Sequence, residues 1–67
     1  MNDYIEMVRV NSSFIRAIGY GGGTLVVEFL SGSSCEYHNV PVSVFEAFLC
    51  SSSKGDFFNS KIRGRYR

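Results

Sequence analysis

Phe14-Ile15-Arg16-Ala17-Ile18-Gly19-Tyr20, then Gly21-Gly22-Gly23, then Thr24-Leu25-Val26-Val27-Glu28-Phe29-Leu30 succeed one another without a break, and their reading decides the fold. The first segment is β-branched and aromatic, with Arg16 as the exposed break in an otherwise apolar run, which reads as a strand. Three glycines in a row accept positive φ without steric cost, so the chain turns back there as a hairpin. In the returning strand Leu25, Val27 and Phe29 share one face, while Thr24, Val26, Glu28 and Leu30 share the other. Val26 and Leu30 leave that second face only half polar, so it expects partial cover from the helix or from a neighbouring subunit.

Working outward, Ser31-Gly32-Ser33-Ser34 reads as a second turn and Cys35-Glu36-Tyr37-His38 as a third strand. Pro41 ends it, because proline supplies no ladder donor. Upstream, Met7-Val8-Arg9-Val10 alternates and can begin a further short strand, with residues 1–7 read as a flexible or strand-adding N-terminus. The period then changes. Ser43 with Glu46 reads as a capping box, and Val44, Phe45, Ala47, Phe48 and Leu49 form an apolar helical stripe. Ser51-Ser52-Ser53-Lys54-Gly55 stops that helix, with Gly55 as its left-handed cap. Asp56 caps a second short helix through Ile62, where Phe57 and Phe58 anchor it on the sheet and Gly64 terminates it. The expected architecture is α+β: a three-stranded antiparallel β-meander followed by one or two short helices packed on one sheet face, in a single domain over residues 1–67.

Sixty-seven residues with six Phe and four Tyr are apolar for their size. So small a core is marginal alone, and a homo-oligomer that buries apolar surface between subunits is one expectation. Cys35 and Cys50 are too few and too far apart for a disulfide framework or a CxxC pair. They read as small hydrophobes, Cys50 buried on the helix, and reduced thiols imply a cytoplasmic protein. His38 is the one imidazole, so a zinc site lacks ligands, and neither metal nor cofactor is expected. No stretch has the form of a signal peptide or approaches the roughly 20 apolar residues of a membrane span. Catalysis is not expected either, since no nucleophile sits beside His38 and the one nearby carboxylate is Glu36, two residues back on the same strand face.

Charge is distributed unevenly. Residues 1–53 hold two bases and five acids and residues 54–67 five bases and one acid, so the formal net charge of +1 divides into −3 and +4. Lys54, Lys61, Arg63, Arg65 and Arg67 are candidate phosphate contacts, because cationic side chains release counterions from a nucleic-acid backbone. Tyr66 among them is a candidate for stacking on a base, and Tyr37 with His38 a second such pair. The plainer reading is that these cations solubilise the domain and bond helix C-terminal carbonyls. Gly21-Gly22-Gly23 is a turn and not a phosphate loop, since no Lys-Ser/Thr and no helix come after it.

The chain resembles the KTSC family, the short domain named after the C-terminal extension of some lysyl-tRNA synthetases. The resemblance rests on Val10-Asn11-Ser12-Ser13 with Ala17-Ile18-Gly19-Tyr20, and on Leu25-Val26-Val27-Glu28-Phe29-Leu30-Ser31-Gly32. It continues through Glu36-Tyr37, Asn39-Val40-Pro41, Val44-Phe45-Glu46-Ala47, Ser53-Lys54-Gly55-Asp56-Phe57-Phe58-Asn59 and Ile62-Arg63-Gly64-Arg65-Tyr66. It implies a stand-alone bacterial or phage protein, or an appendage to a tRNA-charging enzyme, with RNA binding suggested by that association. Members tend to carry Tyr-x-Tyr followed by an aromatic residue. Here Cys35 takes the first position and His38 stands after Tyr37, so a base-stacking platform there is incomplete.

The expected function is that of a small non-enzymatic binding module, with RNA favoured as partner through the basic C-terminal segment. Two alternatives compete: a phage- or bacteria-encoded protein-interaction or inhibitor module, such as an anti-defence protein, and a small oligomer sequestering a phosphorylated nucleotide signal. The first alternative expects an exposed apolar patch around Val26, Leu30 or the N-terminal strand.

Overall fold

Gly22 and Gly23 have φ of 58° and 82°, the two consecutive positive values that a two-residue hairpin loop needs. In this computed structural model, which describes residues 5–66, the loop joins β2 (Ile15–Gly21) to β3 (Thr24–Phe29), with Gly21 opposite Thr24 as the last pair. The ladder slips once. Ile15 faces Phe29 while Ala17 faces Glu28, so Arg16 is the extra residue of a β-bulge. The slip lets Ile15 and Ile18, three positions apart, both point into the core with no exposure. Arg16 turns outward, and its guanidinium donates to the Leu30 carbonyl at 3.4 Å.

β4 (Ser34–Tyr37) pairs antiparallel with β3, Leu25 facing Tyr37. β1 (Met7–Arg9) pairs antiparallel with β2 on the other side, so the sheet is a four-stranded meander in the order β1-β2-β3-β4. This corrects the expectation of three strands. Three alternating residues are a weak strand signal, and what holds β1 is a feature of its neighbour. Gly19 faces Met7, and a Cβ on Gly19 would lie 2.6 Å from Met7 Sδ and 2.9 Å from the Glu6 carbonyl oxygen.

One face of the sheet receives the helices. Ile15, Ile18, Leu25 and Val27 pack with Val40, Phe48, Phe58 and Ile62 in a single buried cluster. Burying each such side chain contributes about 1.5–3 kcal/mol. The link from β4 to α1 (Val42–Cys50) is pinned into that core. Asn39 takes a φ of 60°, Val40 is buried, its N–H donates to Gly23 O at 2.9 Å, and its carbonyl accepts from the Tyr20 hydroxyl. The Tyr20 ring then stacks on Phe45 of α1, centroids 5.2 Å apart.

Four local expectations change. α1 starts at Val42 with Pro41 as its N-cap, at φ −64°, and no side chain caps it, so Ser43 and Glu46 form no capping box. With Val42 as the first helical residue, Ser43 falls inside the first turn and not at the cap. The side-chain cap belongs instead to α2 (Lys54–Phe57), where Ser53 Oγ accepts from the Asp56 N–H at 3.3 Å, so Ser53 and not Asp56 is the cap. Gly55 lies inside α2 and is not a left-handed cap; a Cβ there would meet Phe14 Cε1 at 2.7 Å, so its role is close approach. Phe14, Phe29 and Tyr37 surround Phe58 with centroids 5.6–6.1 Å away. Cys50 is exposed at the end of α1, not buried as expected.

Candidate phosphate- and base-contact groove

α2 runs without interruption into a π-helical turn, Phe58–Ile62, closed by the Arg63 N–H on Phe58 O at 2.8 Å. Such i→i+5 turns are rare and concentrate at functional sites. Residues four apart share a face of the turn. Phe58 and Ile62 form the inner pair, both buried. One position earlier, Phe57 and Lys61 form an outer pair, and Arg65, past the helix end, is brought to the same groove by the turn through Arg63 and Gly64. The helix stops at Ile62 because Arg63, one residue before the expected terminator, is already extended at ψ 126°. Gly64, at φ 82°, lies in the turn that follows, and the Tyr66 N–H still reaches Ile62 O at 3.2 Å.

This outer row faces α1. Phe57, Lys61, Arg65 and Tyr66 on one side and Ser43, Val44 and Ala47 on the other line a groove of about 300 Å³. Its walls are braced from below. Phe57 stacks on buried Phe48 with centroids 5.1 Å apart and planes 12° apart, and Tyr66 packs on the core cluster. Two cations, two aromatic rings, the Ser43 hydroxyl and the apolar side chains of Val44 and Ala47 therefore converge, and among the described residues no carboxylate lines the groove. Chemically the arrangement suits an anionic group held beside a flat ring.

The candidate residues divide. Lys61, Arg65 and Tyr66 come together in the groove. Lys54 Nζ donates to Ser51 O at 2.7 Å, closing the carbonyl end of α1. Arg63 belongs to another side, where its charge acts on the Tyr37 phenol. That phenol sits above the ordinary tyrosine value of 10.0, chiefly because it is partly buried and then through Cys35, with Arg63 pulling the other way. The Tyr37 ring meets Phe58 edge-on at 6.0 Å, beneath the helices. His38 is exposed and shares a 3.3 Å hydrogen bond with the Thr24 hydroxyl through Nδ1. Neither Tyr37 nor His38 lines the groove. Arg67 lies outside the described residues.

Sequence reasoning missed Ser43, Val44, Ala47 and Phe57 as groove residues, having read them as a cap, a core stripe and an anchor. The spacing of four between Phe57 and Lys61 carried part of the signal, while Arg65 arrives through the turn beyond Ile62, which spacing does not show. No helix among the described residues is long and apolar enough to cross a membrane.

Comparison with known proteins agrees with this fold. A crystal structure of a KTSC domain protein from Yersinia pestis superposes with a TM-score of 0.91 at 30% identity, covering 96% of this chain and 93% of that one. A protein from Tsukamurella paurometabola is 36% identical over 63 residues, 91% of this chain and 94% of its own length. A lysine–tRNA ligase from Nostoc sp. is 38% identical over 63 residues, and the chain spans only 11% of that enzyme's length. The KTSC domain model matches residues 11–66, and the chain belongs to the KTSC domain family.

Proposed function

We propose that the chain is a small non-enzymatic binding module that contacts RNA through the groove between α1 and the π-helical turn. The observation that carries this reading is the convergence of Lys61, Arg65 and Tyr66 on one open groove that no carboxylate of the described residues lines. Cations there neutralise phosphates, and a braced ring offers a face to a base. The likeness to a segment of lysine–tRNA ligases supports RNA over other polyanions.

Titrating a labelled transfer RNA at two salt concentrations tests it. Binding should weaken as salt rises, and the double variant Lys61→Ala/Arg65→Ala should lose most of the affinity with its circular dichroism unchanged. Affinity indifferent to both salt and the double variant would refute the reading. A second reading, docking of a protein partner, is favoured by Val8 at 43% and Leu30 at 47% exposure. It predicts that Leu30→Asp abolishes a partner contact while leaving the RNA titration untouched.

A further inference from the structure

We infer that the groove accepts an unpaired nucleotide, so that the module discriminates single-stranded RNA from duplex. This rests on the nucleic-acid reading above and narrows it to one ligand class. The groove volume of about 300 Å³ lies at the lower end of small-ligand sites, room for a nucleotide unit and not for a stacked pair. The rings at its wall act only on a base whose face is free. In an A-form duplex each base face is covered by its neighbours and the base edges lie in grooves that side chains read poorly, so only a splayed-out base can lie against Tyr66.

The charge layout agrees. A duplex presents two phosphate strands, and a protein reading its shape needs cations spread over a wide surface. Here two cations stand together, Lys61 and Arg65, four residues apart on one wall. Of the other basic side chains, Lys54 bonds Ser51 O and Arg16 bonds Leu30 O. The opposite wall carries the Ser43 hydroxyl, a donor and acceptor suited to a ribose hydroxyl or a base edge. Two phosphates of one strand and one base between them fill that set.

The probes are a short fluorescein-labelled oligoribonucleotide of mixed sequence and the same strand annealed to its complement, compared by anisotropy. Single-stranded RNA should bind more tightly than duplex by about five- to 150-fold, the worth of one stacked base. Tyr66→Leu should remove that preference and Tyr66→Phe should keep it. With two phosphates neutralised, the logarithm of the binding constant should fall against the logarithm of salt with a slope of about −1.4, and Lys61→Gln should halve it to about −0.7. Duplex binding as tight as single-strand binding overturns the inference while leaving the RNA reading standing. So does a folded Tyr66→Leu variant that keeps the preference for single strands. Binding of neither RNA overturns the nucleic-acid reading itself, and the inference with it.

Discussion

Replacing Gly19 by alanine should loosen the sheet edge by an amount the geometry sets. The added methyl would lie 2.6 Å from Met7 Sδ, 2.7 Å from Ile5 Cγ2 and 2.9 Å from the Glu6 carbonyl oxygen. The first two are side-chain atoms that can swing aside. The third is main chain, and moving it means moving β1 away from β2. Overpacking of this kind costs about 1–3 kcal/mol, while alanine in place of glycine within a strand returns about 0.5–1 kcal/mol. The difference spans about 0–2.5 kcal/mol, and the main-chain contact, which cannot swing aside, places the loss in its upper half, a sizeable share of the roughly 3–10 kcal/mol expected for a chain of this length. Urea unfolding followed by circular dichroism measures it. Amide exchange locates it, and protection should fall first at the pairs Met7–Gly19 and Val8–Ile18. Gly22→Ala is the control: nothing lies within 4 Å of its added methyl, but φ is 58°, so it should cost about 1–2 kcal/mol through backbone strain with β1 protection unchanged. A Gly19→Ala protein as stable as the parent, with β1 amides equally protected, would refute the contact between residues 5–7 and Gly19.

Phe48→Ala empties the centre of the core beneath both helices, where Phe48 has no exposure, and should cost about 3–5 kcal/mol in the same unfolding titration. Ser53→Ala removes the one side-chain cap of α2 and should cost about 1 kcal/mol, with the loss of amide protection greatest at Asp56. Tyr37 gives a pH dependence of known sign. Its phenol is raised above 10.0 in the fold, so the unfolded chain gives up that proton first as alkali is added. The stabilisation is therefore full below pH of about 10 and fades as pH rises through the folded value. A Tyr37→Phe variant should show a flatter stability profile in that alkaline range, and a profile parallel to the parent's would contradict the assignment.

Much of the fold was legible because its signals are local. The triple glycine specifies a hairpin by itself, and β3 alternates cleanly enough to name its buried face. The helices were readable from the change of period after Pro41. What escaped depended on contacts between distant segments. Gly55 looks like a helix stop in the chain, and only the Phe14 ring lying against it explains the missing side chain. The Arg16 bulge was written in the odd spacing of Ile15 and Ile18, but an apolar run hides such a slip until the partner strand fixes the register. β1 is too short to show a period. The candidate site was half legible: composition gathered the cations near one end of the chain, yet which of them converge depends on the phase of the helix and on the turn that follows Ile62. Lys61 and Arg65 share a wall with Tyr66, while Lys54 serves a helix end and Arg63 acts elsewhere.

The wide turn at Phe58–Ile62 amounts to slack stored inside a helix. A π-helical turn carries one residue more than the α-helical path between the same two ends. Shortening the chain there, by removing Ser60, would tighten the ladder without rotating the residues beyond it. Phe58 with Ile62, and Phe57 with Lys61, would become neighbours three apart and still share their faces. The cost would be the Ser60 hydroxyl's 2.7 Å bond to Asp56 O. A one-residue deletion at this spot would therefore leave the walls beside α1 with their composition and outlook.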